Sequence, residues 1–313
     1  MKTYVAVTDQ RWYRFLAARP HLTEANFWMP GGGPAVFGAV APGESFLFKT
    51  HRPHNRLVGG GFLSDYRQLR LNSAWETFGE ANGVGSLDEM RAAIGQYRRR
   101  ALEPYENPVI GCAMLRDTAF FELADLRPTS AEFAGNLVRG KSFEIGRQPD
   151  SSIEEAFRRL LDDSPAGLTP MDLAYVDERA MFGSPRLYTP RLGQRSFAAV
   201  IEDAYHRRCA ITGAKIRPAL QAAHIRPVAQ AGQHRVDNGL LLRADVHILF
   251  DRGYLGVHPI THGLQVSSRL RQDFGNGEEF YRREGEPIGV PTKTVERPNT
   301  EFLEWHLDEV FHG

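Results

Sequence analysis

The chain has 313 residues, of which 42% are hydrophobic and 24% charged. This composition is typical of a folded protein large enough for two domains with separate cores. The formal net charge is zero, from 38 basic and 38 acidic side chains, and this balance argues against a protein that coats nucleic acid indiscriminately.

No run of about 18 apolar residues occurs in the sequence, so we expect no membrane-spanning segment. The first residues lack the apolar run and the small-residue cleavage site of a secretory signal. Two cysteines, Cys112 and Cys209, are too few for a disulfide framework and too far apart for a zinc knuckle. We therefore expect a cytoplasmic protein.

Short strands separated by turns dominate the predicted structure of residues 1–135. Their alternating and β-branched residues predict strands Lys2–Thr8, Gly43–Thr50 and Arg56–Phe62, and a hairpin of Pro108–Leu115 with Thr118–Leu126. Apolar residues at helical spacing predict helices Ala74–Ala81 and Leu87–Leu102. We expect a small curved sheet or barrel that carries helices.

The sequence signals change between residues 136 and 190. Ser152 and Glu155 form a capping box, which predicts a helix over Ile153–Leu161. The Pro- and Gly-rich run that follows, through Gly183–Pro190, predicts a linker or a segment that wraps around a domain. A further helix is predicted over Ser196–His206.

Positive charge is concentrated in residues 185–243. This stretch holds ten Lys and Arg residues against three acidic residues, a local excess of seven. Most such clusters are solvated surfaces, but this one encloses the histidine pattern described next, which favours phosphate binding. The candidate phosphate contacts are Arg207, Arg208, Arg226 and Arg243.

The histidine pattern lies on a predicted strand–loop–strand–helix unit. The predicted elements are a strand Gln221–Ile225, a loop Pro227–Val236, a strand Gly239–Leu242 and a helix Ala244–Phe250. His224 falls at the end of the first strand, Asn238 at the start of the second, and His247 on the helix. Either a core histidine or a simple Asp-Asn-Gly turn would be ordinary alone, but their joint order on this unit favours a catalytic site.

Hydrolysis of a phosphodiester explains these residue types. Neutral imidazole can deprotonate water near pH 7, which suits His224 as a general base. Asn238 can fix the loop by hydrogen bonds to backbone groups and thereby orient His224. His247 and Asp251 are four residues apart, so they share one helix face and can point toward one divalent cation.

Residues 193–256 resemble the HNH, or ββα-metal, endonuclease family, particularly the zinc-free branch of modification-dependent restriction enzymes. The resemblance rests on Gly-Gln at 193, Ala-Tyr at 204, Arg-Cys-Ala-Ile-Thr-Gly at 208, Ala-Ala-His-Ile at 222 and His-Ile-Leu-Phe-Asp at 247. It implies that His224 is the general base, Asn238 the orienting residue and His247 a ligand of Mg²⁺ or Mn²⁺. Many family members have Asp or His before the base, where this chain has Ala223. Asp251 or water would then complete the coordination.

The first 135 residues resemble EVE-like domains of the PUA-like superfamily, which includes readers of modified bases. The resemblance rests on Tyr-Val-Ala-Val at 4, Trp12, Asn-Phe-Trp at 26, Pro-Gly-Glu-Ser-Phe-Leu-Phe at 42 and Leu-Val-Gly-Gly-Gly-Phe at 57. It implies a pocket for an extruded modified cytosine, with aromatic walls that stack on the base. Trp28 is the first candidate wall, followed by Tyr66, Phe27 and Trp75. For Phe27 and Trp75 a place in the core is the stronger alternative.

Together these features predict an α+β protein in three parts. Residues 1–135 form a PUA-like β-barrel reader, residues 136–190 a helical linker and residues 191–313 an HNH nuclease. The hypothesis is a restriction-type, metal-dependent endonuclease that flips and reads 5-methylcytosine or 5-hydroxymethylcytosine in double-stranded DNA and acts as a homodimer. The alternatives are an HNH nuclease of toxin, homing or repair type with an N-terminal scaffold, and a non-catalytic DNA-binding protein.

Overall fold

A computed structural model describes residues 2–31, 40–121, 140–145, 151–163 and 193–313. The chain divides into two compact units, Met1–Arg186 and Leu187–Gly313. The far end of the predicted strand Thr118–Leu126 and the predicted linker Gly183–Pro190 lie outside the described residues. Among the described residues, no helix is both long enough and apolar enough to cross a membrane.

The first unit is built on a mixed sheet of six strands in the order β2-β5-β4-β3-β1-β6. β1 runs parallel to β3, and the other neighbouring pairs are antiparallel. The strands are β1 (Lys2–Thr8), β2 (Ala25–Met29), β3 (Ser45–Thr50), β4 (Leu57–Arg70), β5 (Val109–Phe120) and β6 (Gly140–Glu144).

Helices cover both faces of this sheet. They are α1 (Gln10–Ala17), α2 (Leu71–Phe78), α3 (Leu87–Tyr97) and α4 (Ser151–Asp163), with a 3-10 turn at Gly79–Asn82. Residues that alternate along a strand point to opposite faces. Accordingly, Phe46 and Phe48 pack with α1 in one core, and Leu47 packs in a second core with Phe157 and Leu160 of α4. The helix predicted within residues 136–190 therefore contributes to the core of the first unit.

One predicted hairpin is wrong. Instead of two strands, Pro108–Leu115 and Thr118–Leu126, the structure has the single strand β5, which pairs with β4 along most of its length. Asp117, which lies between the two predicted strands, has a φ of +50°. Here it accompanies a bulge in a continuous ladder. β4 also continues eight residues past the predicted end at Phe62 because those residues pair with β5.

The second unit contains two short hairpins and five helices among its described residues. The strands are β7 (Leu220–His224), β8 (Gly239–Arg243), β9 (Leu255–Val257) and β10 (Leu264–Val266). The helices are α5 (Gln194–Ala204), α6 (Ala244–Asp251), α7 (Arg269–Phe274), α8 (Glu278–Tyr281) and α9 (Thr300–Glu309), with 3-10 turns at Arg217–Ala219, Val228–Gln230, Val236–Asn238 and Thr294–Glu296.

The last helix, α9, packs against the rest of the second unit. Its buried face includes Phe302, Leu303 and His306. The His306 ring stacks on Phe250 of α6 with ring centroids 3.8 Å apart, and His306 Nε2 lies 3.0 Å from the Phe250 carbonyl oxygen. α9 thus holds α6 in place beneath β7 and β8. The predicted α+β class is confirmed by both units.

Candidate active site

The predicted strand–loop–strand–helix unit is present as β7, a loop, β8 and α6. β7 and β8 pair antiparallel, with His224 opposite Gly239. α6 begins directly after β8, so the helix packs back on the hairpin that precedes it. This connection brings His247 of α6 to the same sheet that carries His224.

Asn238 fixes the loop between the two strands. Its side chain is 0% exposed, and its hydrogen bonds within the described part of the chain are to backbone groups. Oδ1 accepts from Arg226 N at 2.9 Å, and Nδ2 donates to the carbonyl oxygens of Arg226 and Gln233, each at 2.9 Å. Three bonds from one buried amide tie both ends of the loop to the start of β8, and one tied end lies two residues after His224.

His224 is held between an aromatic ring and a second histidine. Its ring stacks on Phe197 of α5, with centroids 4.1 Å apart and an interplanar angle of 7°. Its Nε2 lies 3.0 Å from Nδ1 of His234. Burial, with further contributions from His234 and His247, lowers the pKa of His224 to about 4. The imidazole is therefore neutral at pH 7 and has a lone pair with which to accept a proton.

His234 was not among the site residues predicted from the sequence. This residue lies in the loop between β7 and β8, four residues before Asn238. The only sequence signal was a third histidine inside the same short segment. Its role depends on the folded loop, which places it against His224 and Phe197.

His247 and Asp251 lie together on α6, as their spacing of four residues indicated. His247 Nε2 is 3.3 Å from Asp251 Oδ2, and His247 Nδ1 is 2.8 Å from Gln221 Oε1 on β7. Burial raises the pKa of Asp251, and the nearby His247 opposes this shift. No group of three or more His, Cys, Asp or Glu side chains is placed to hold a metal ion in the described part of the chain. Ala223 is buried and supplies no ligand.

Residues 209–258 match the family model HNH_2, described as HNH endonuclease. This stretch contains β7, His224, the loop, Asn238, β8 and α6. The chain therefore carries a segment that matches HNH endonucleases, and the predicted resemblance is confirmed for this segment.

Solved structures also match parts of the chain at low similarity. A modification-dependent restriction endonuclease, TagI, is 21% identical over 38% of this chain and 38% of its own, with a TM-score of 0.26. The ASCH protein from Zymomonas mobilis is 13% identical over 52% of this chain and 95% of its own, with a TM-score of 0.29. A point mutant of that ASCH protein is 12% identical over 52% of this chain and 96% of its own, with a TM-score of 0.31. The chain thus spans well under half of the TagI chain. No curated protein matches it.

The four candidate phosphate contacts of the HNH module differ in their surroundings. Arg243 forms ion pairs with Asp245 at 2.6 Å and Glu279 at 3.3 Å, and these carboxylates raise its pKa. Arg226 donates to the Gln230 carbonyl oxygen and lies 5.3 Å from the centre of the Trp305 ring. The guanidinium groups of both residues are therefore already in contact with other groups of the protein. In contrast, Arg208 is exposed and Arg207 half-buried.

The candidate base-pocket residues fall on two faces of the first unit's sheet. Phe27 packs in the core, with ring centroids 5.5 Å from Trp12 and 5.3 Å from Phe46, and Tyr66 packs against the same core. Trp28 is the next residue on β2, so its side chain points to the opposite face.

On that face Trp28 contacts the helical layer. Its Nε1 donates to the Asn82 carbonyl oxygen at 2.9 Å, and its ring meets the edge of Tyr97 at 5.9 Å. Trp75 lies half-buried on α2. The structure therefore separates Trp28 from Phe27 and Tyr66, because strand alternation places neighbouring residues on opposite faces.

Proposed function

We propose that this protein is a metal-dependent DNA endonuclease in which His224 is the general base. The observation that carries the proposal is the setting of the His224 imidazole: neutral at pH 7, stacked on Phe197, and located beside a loop that Asn238 fixes. A fixed, neutral imidazole is suited to take a proton from water as the water attacks a phosphodiester.

The metal dependence rests on His247 and Asp251. Two ligands of one ion lie about 3 Å apart, since each is about 2.1 Å from the metal, and the observed separation of 3.3 Å fits this requirement. Gln221 accepts from Nδ1 of His247, which leaves Nε2 as the ligand nitrogen and fixes the ring. A divalent ion bound here, Mg²⁺ or Mn²⁺, would stabilise negative charge on the phosphate and the leaving oxygen.

Replacement of the base tests the proposal directly. We expect His224→Ala to lower the rate of plasmid cleavage by about 10²–10⁴, with unchanged DNA affinity, because the ring contacts protein groups. His21→Ala, at an exposed histidine of the first unit, is the control. Cleavage by the His224 variant within about threefold of the wild-type rate would overturn the proposal, since such a change is below 1 kcal/mol.

We propose further that residues 1–135 direct the nuclease to modified cytosine in double-stranded DNA, as a homodimer on DNA because two strands need two cutting centres. The support is the resemblance of these residues to EVE-like readers, together with the half-buried Trp28, whose indole edge is fixed by Asn82. A planar ring held in this way can stack on an extruded base.

Paired affinities test the reader. We expect Trp28→Ala to weaken binding to 5-methylcytosine or 5-hydroxymethylcytosine duplexes by about 1–3 kcal/mol and to leave binding to unmodified duplex unchanged. Trp28→Phe should retain most of the preference because it keeps a stacking ring. Two results would contradict the reader hypothesis: an equal loss of affinity for modified and unmodified duplex in Trp28→Ala, or a wild-type protein that does not prefer modified duplex. Either result would make the first unit a scaffold and favour a nuclease of toxin, homing or repair type.

A further inference from the structure

We propose that His234 is a positioning residue that holds His224 in the one tautomer able to act as a base. This inference rests on the proposed function of His224. His234 lies outside the HNH pattern of His224, Asn238 and His247, and the inference gives it a role in catalysis.

The two histidines are in direct contact within an aromatic cluster. His224 Nε2 and His234 Nδ1 are 3.0 Å apart, and the two rings meet at 62° with centroids 4.9 Å apart. Phe197 stacks on His224 and also contacts His234, with centroids 5.8 Å apart. The stacking fixes the plane of the His224 ring, and the nitrogen–nitrogen contact fixes its rotation within that plane.

A hydrogen bond between two neutral imidazoles requires one N–H donor and one lone pair. If His224 Nε2–H donates to His234 Nδ1, the lone pair of His224 is on Nδ1. In the reverse arrangement, His234 donates and uses the only lone pair of His224, so His224 cannot accept a proton. Among the described residues Nδ1 of His224 has no hydrogen-bond partner. We therefore assign base function to Nδ1 of His224 and the acceptor role to Nδ1 of His234.

The proton transfer is balanced in this arrangement. A water O–H bond breaks, its proton moves to Nδ1 of His224, and the oxygen forms the new bond to phosphorus while the leaving oxygen departs and takes a proton from solvent. The resulting imidazolium still donates from Nε2 to His234. That bond becomes charge-assisted and so strengthens as the reaction proceeds, which stabilises the protonated base without moving it.

Contacts within the loop between β7 and β8 hold His234 in this position. The carbonyl of the preceding residue, Gln233, accepts from Asn238 Nδ2, and the side chain of the following residue, Arg235, pairs with Asp237 at 2.5 Å. Gly232 is also closely packed, since a Cβ there would clash with the Arg226 carbonyl oxygen. His234 therefore lies between anchored neighbours, and its contact with His224 is determined by the loop backbone.

The test compares replacements that keep or remove the acceptor. Asparagine places its amide oxygen near the position of histidine Nδ1, whereas leucine keeps bulk without an acceptor. In the full-length protein we expect His234→Leu to lower kcat for plasmid cleavage about 10- to 100-fold, as small misplacement of a catalytic group does, with DNA affinity within about twofold. His234→Asn should restore cleavage to within a few-fold of wild type.

A spectroscopic measurement separates this inference from the proposed function. Long-range ¹H–¹⁵N correlation spectra should show His224 protonated at Nε2 in the wild type and in His234→Asn, and a mixture of tautomers in His234→Leu. A wild-type His224 protonated at Nδ1, or a leucine variant with wild-type rate and tautomer, would overturn the role of His234 even if His224→Ala abolishes cleavage. If the leucine variant does not fold, His234→Gln replaces it, because its amide reaches the Nε2 position instead.

Discussion

Replacement of Asn238 should lower both the stability of the second unit and the rate of cleavage. Asn238→Ala removes the partners of three backbone groups, the Arg226 amide and the carbonyls of Arg226 and Gln233. Each unpaired buried group costs about 1–3 kcal/mol. Because water can reach part of this loop, we use about 1 kcal/mol for each of the three groups. The second unit should lose about 3 kcal/mol of unfolding free energy.

The loss of these bonds should also affect cutting. With both ends of the loop released, His224 and His234 lose their fixed geometry, and we expect cleavage to fall about 10²-fold. Urea unfolding followed by hydrogen exchange in peptides of residues 187–313 measures the stability, and plasmid cleavage measures the rate. Both values should be taken on the same preparation.

A matched control is available in the first unit. Asn82 is also 0% exposed, and its Nδ2 donates to the carbonyls of Ala74 and Gly79. Asn82→Ala should destabilise the first unit by a similar amount and leave the chemical step unchanged at saturating DNA. If Asn238→Ala costs less than about 1 kcal/mol and cuts like the wild type, the loop is not held as we argue, since its three bonds would then contribute almost nothing.

Three further predictions concern the metal, pH and DNA. Asp251→Asn should raise the Mn²⁺ or Mg²⁺ concentration for half-maximal cleavage more than it lowers the rate at saturating metal; an unchanged metal requirement would make Asp251 structural. Burial lowers the pKa of His306 to about 4. As the pH falls, the His306 imidazole is therefore protonated at a higher pH in the unfolded chain than in the folded one. The free energy of unfolding should consequently fall by about 3 kcal/mol from pH 6.5 to pH 4. Urea unfolding of His306→Phe across this range should show a smaller fall, and an identical slope would contradict the assignment. Arg208→Ala should reduce the salt dependence of DNA binding by about one unit of log–log slope, whereas the ion-paired Arg243 should contribute less when replaced by Ala.

The nuclease module was predictable from sequence because its elements are close along the chain. β7, β8 and α6 follow one another within residues 220–251, so strand alternation, helix spacing and the Asp-Asn-Gly turn determine most of the geometry. The spacing of four between His247 and Asp251 is enough to place them on one face. In this segment the candidate site residues and the elements that carry them can therefore both be predicted from short-range sequence patterns.

Long-range pairing decided the continuity of β5 and the surroundings of Phe27 and Trp28. Asp117 has a left-handed φ, but the ladder between β4 and β5 keeps the predicted hairpin a single continuous strand through it. The sheet places Phe27 in the core with α1, as the stronger alternative for Phe27 held, and places Trp28 on the other face, where it contacts α3.

The contact between His224 and His234 shows the same division most clearly. The sequence determines that three histidines and an asparagine occur in one short segment. Which nitrogen faces which partner depends on Phe197 from α5 and on the path of the loop that Asn238 fixes. That path is a property of the packed structure, because a loop has no periodicity from which its side-chain directions can be read.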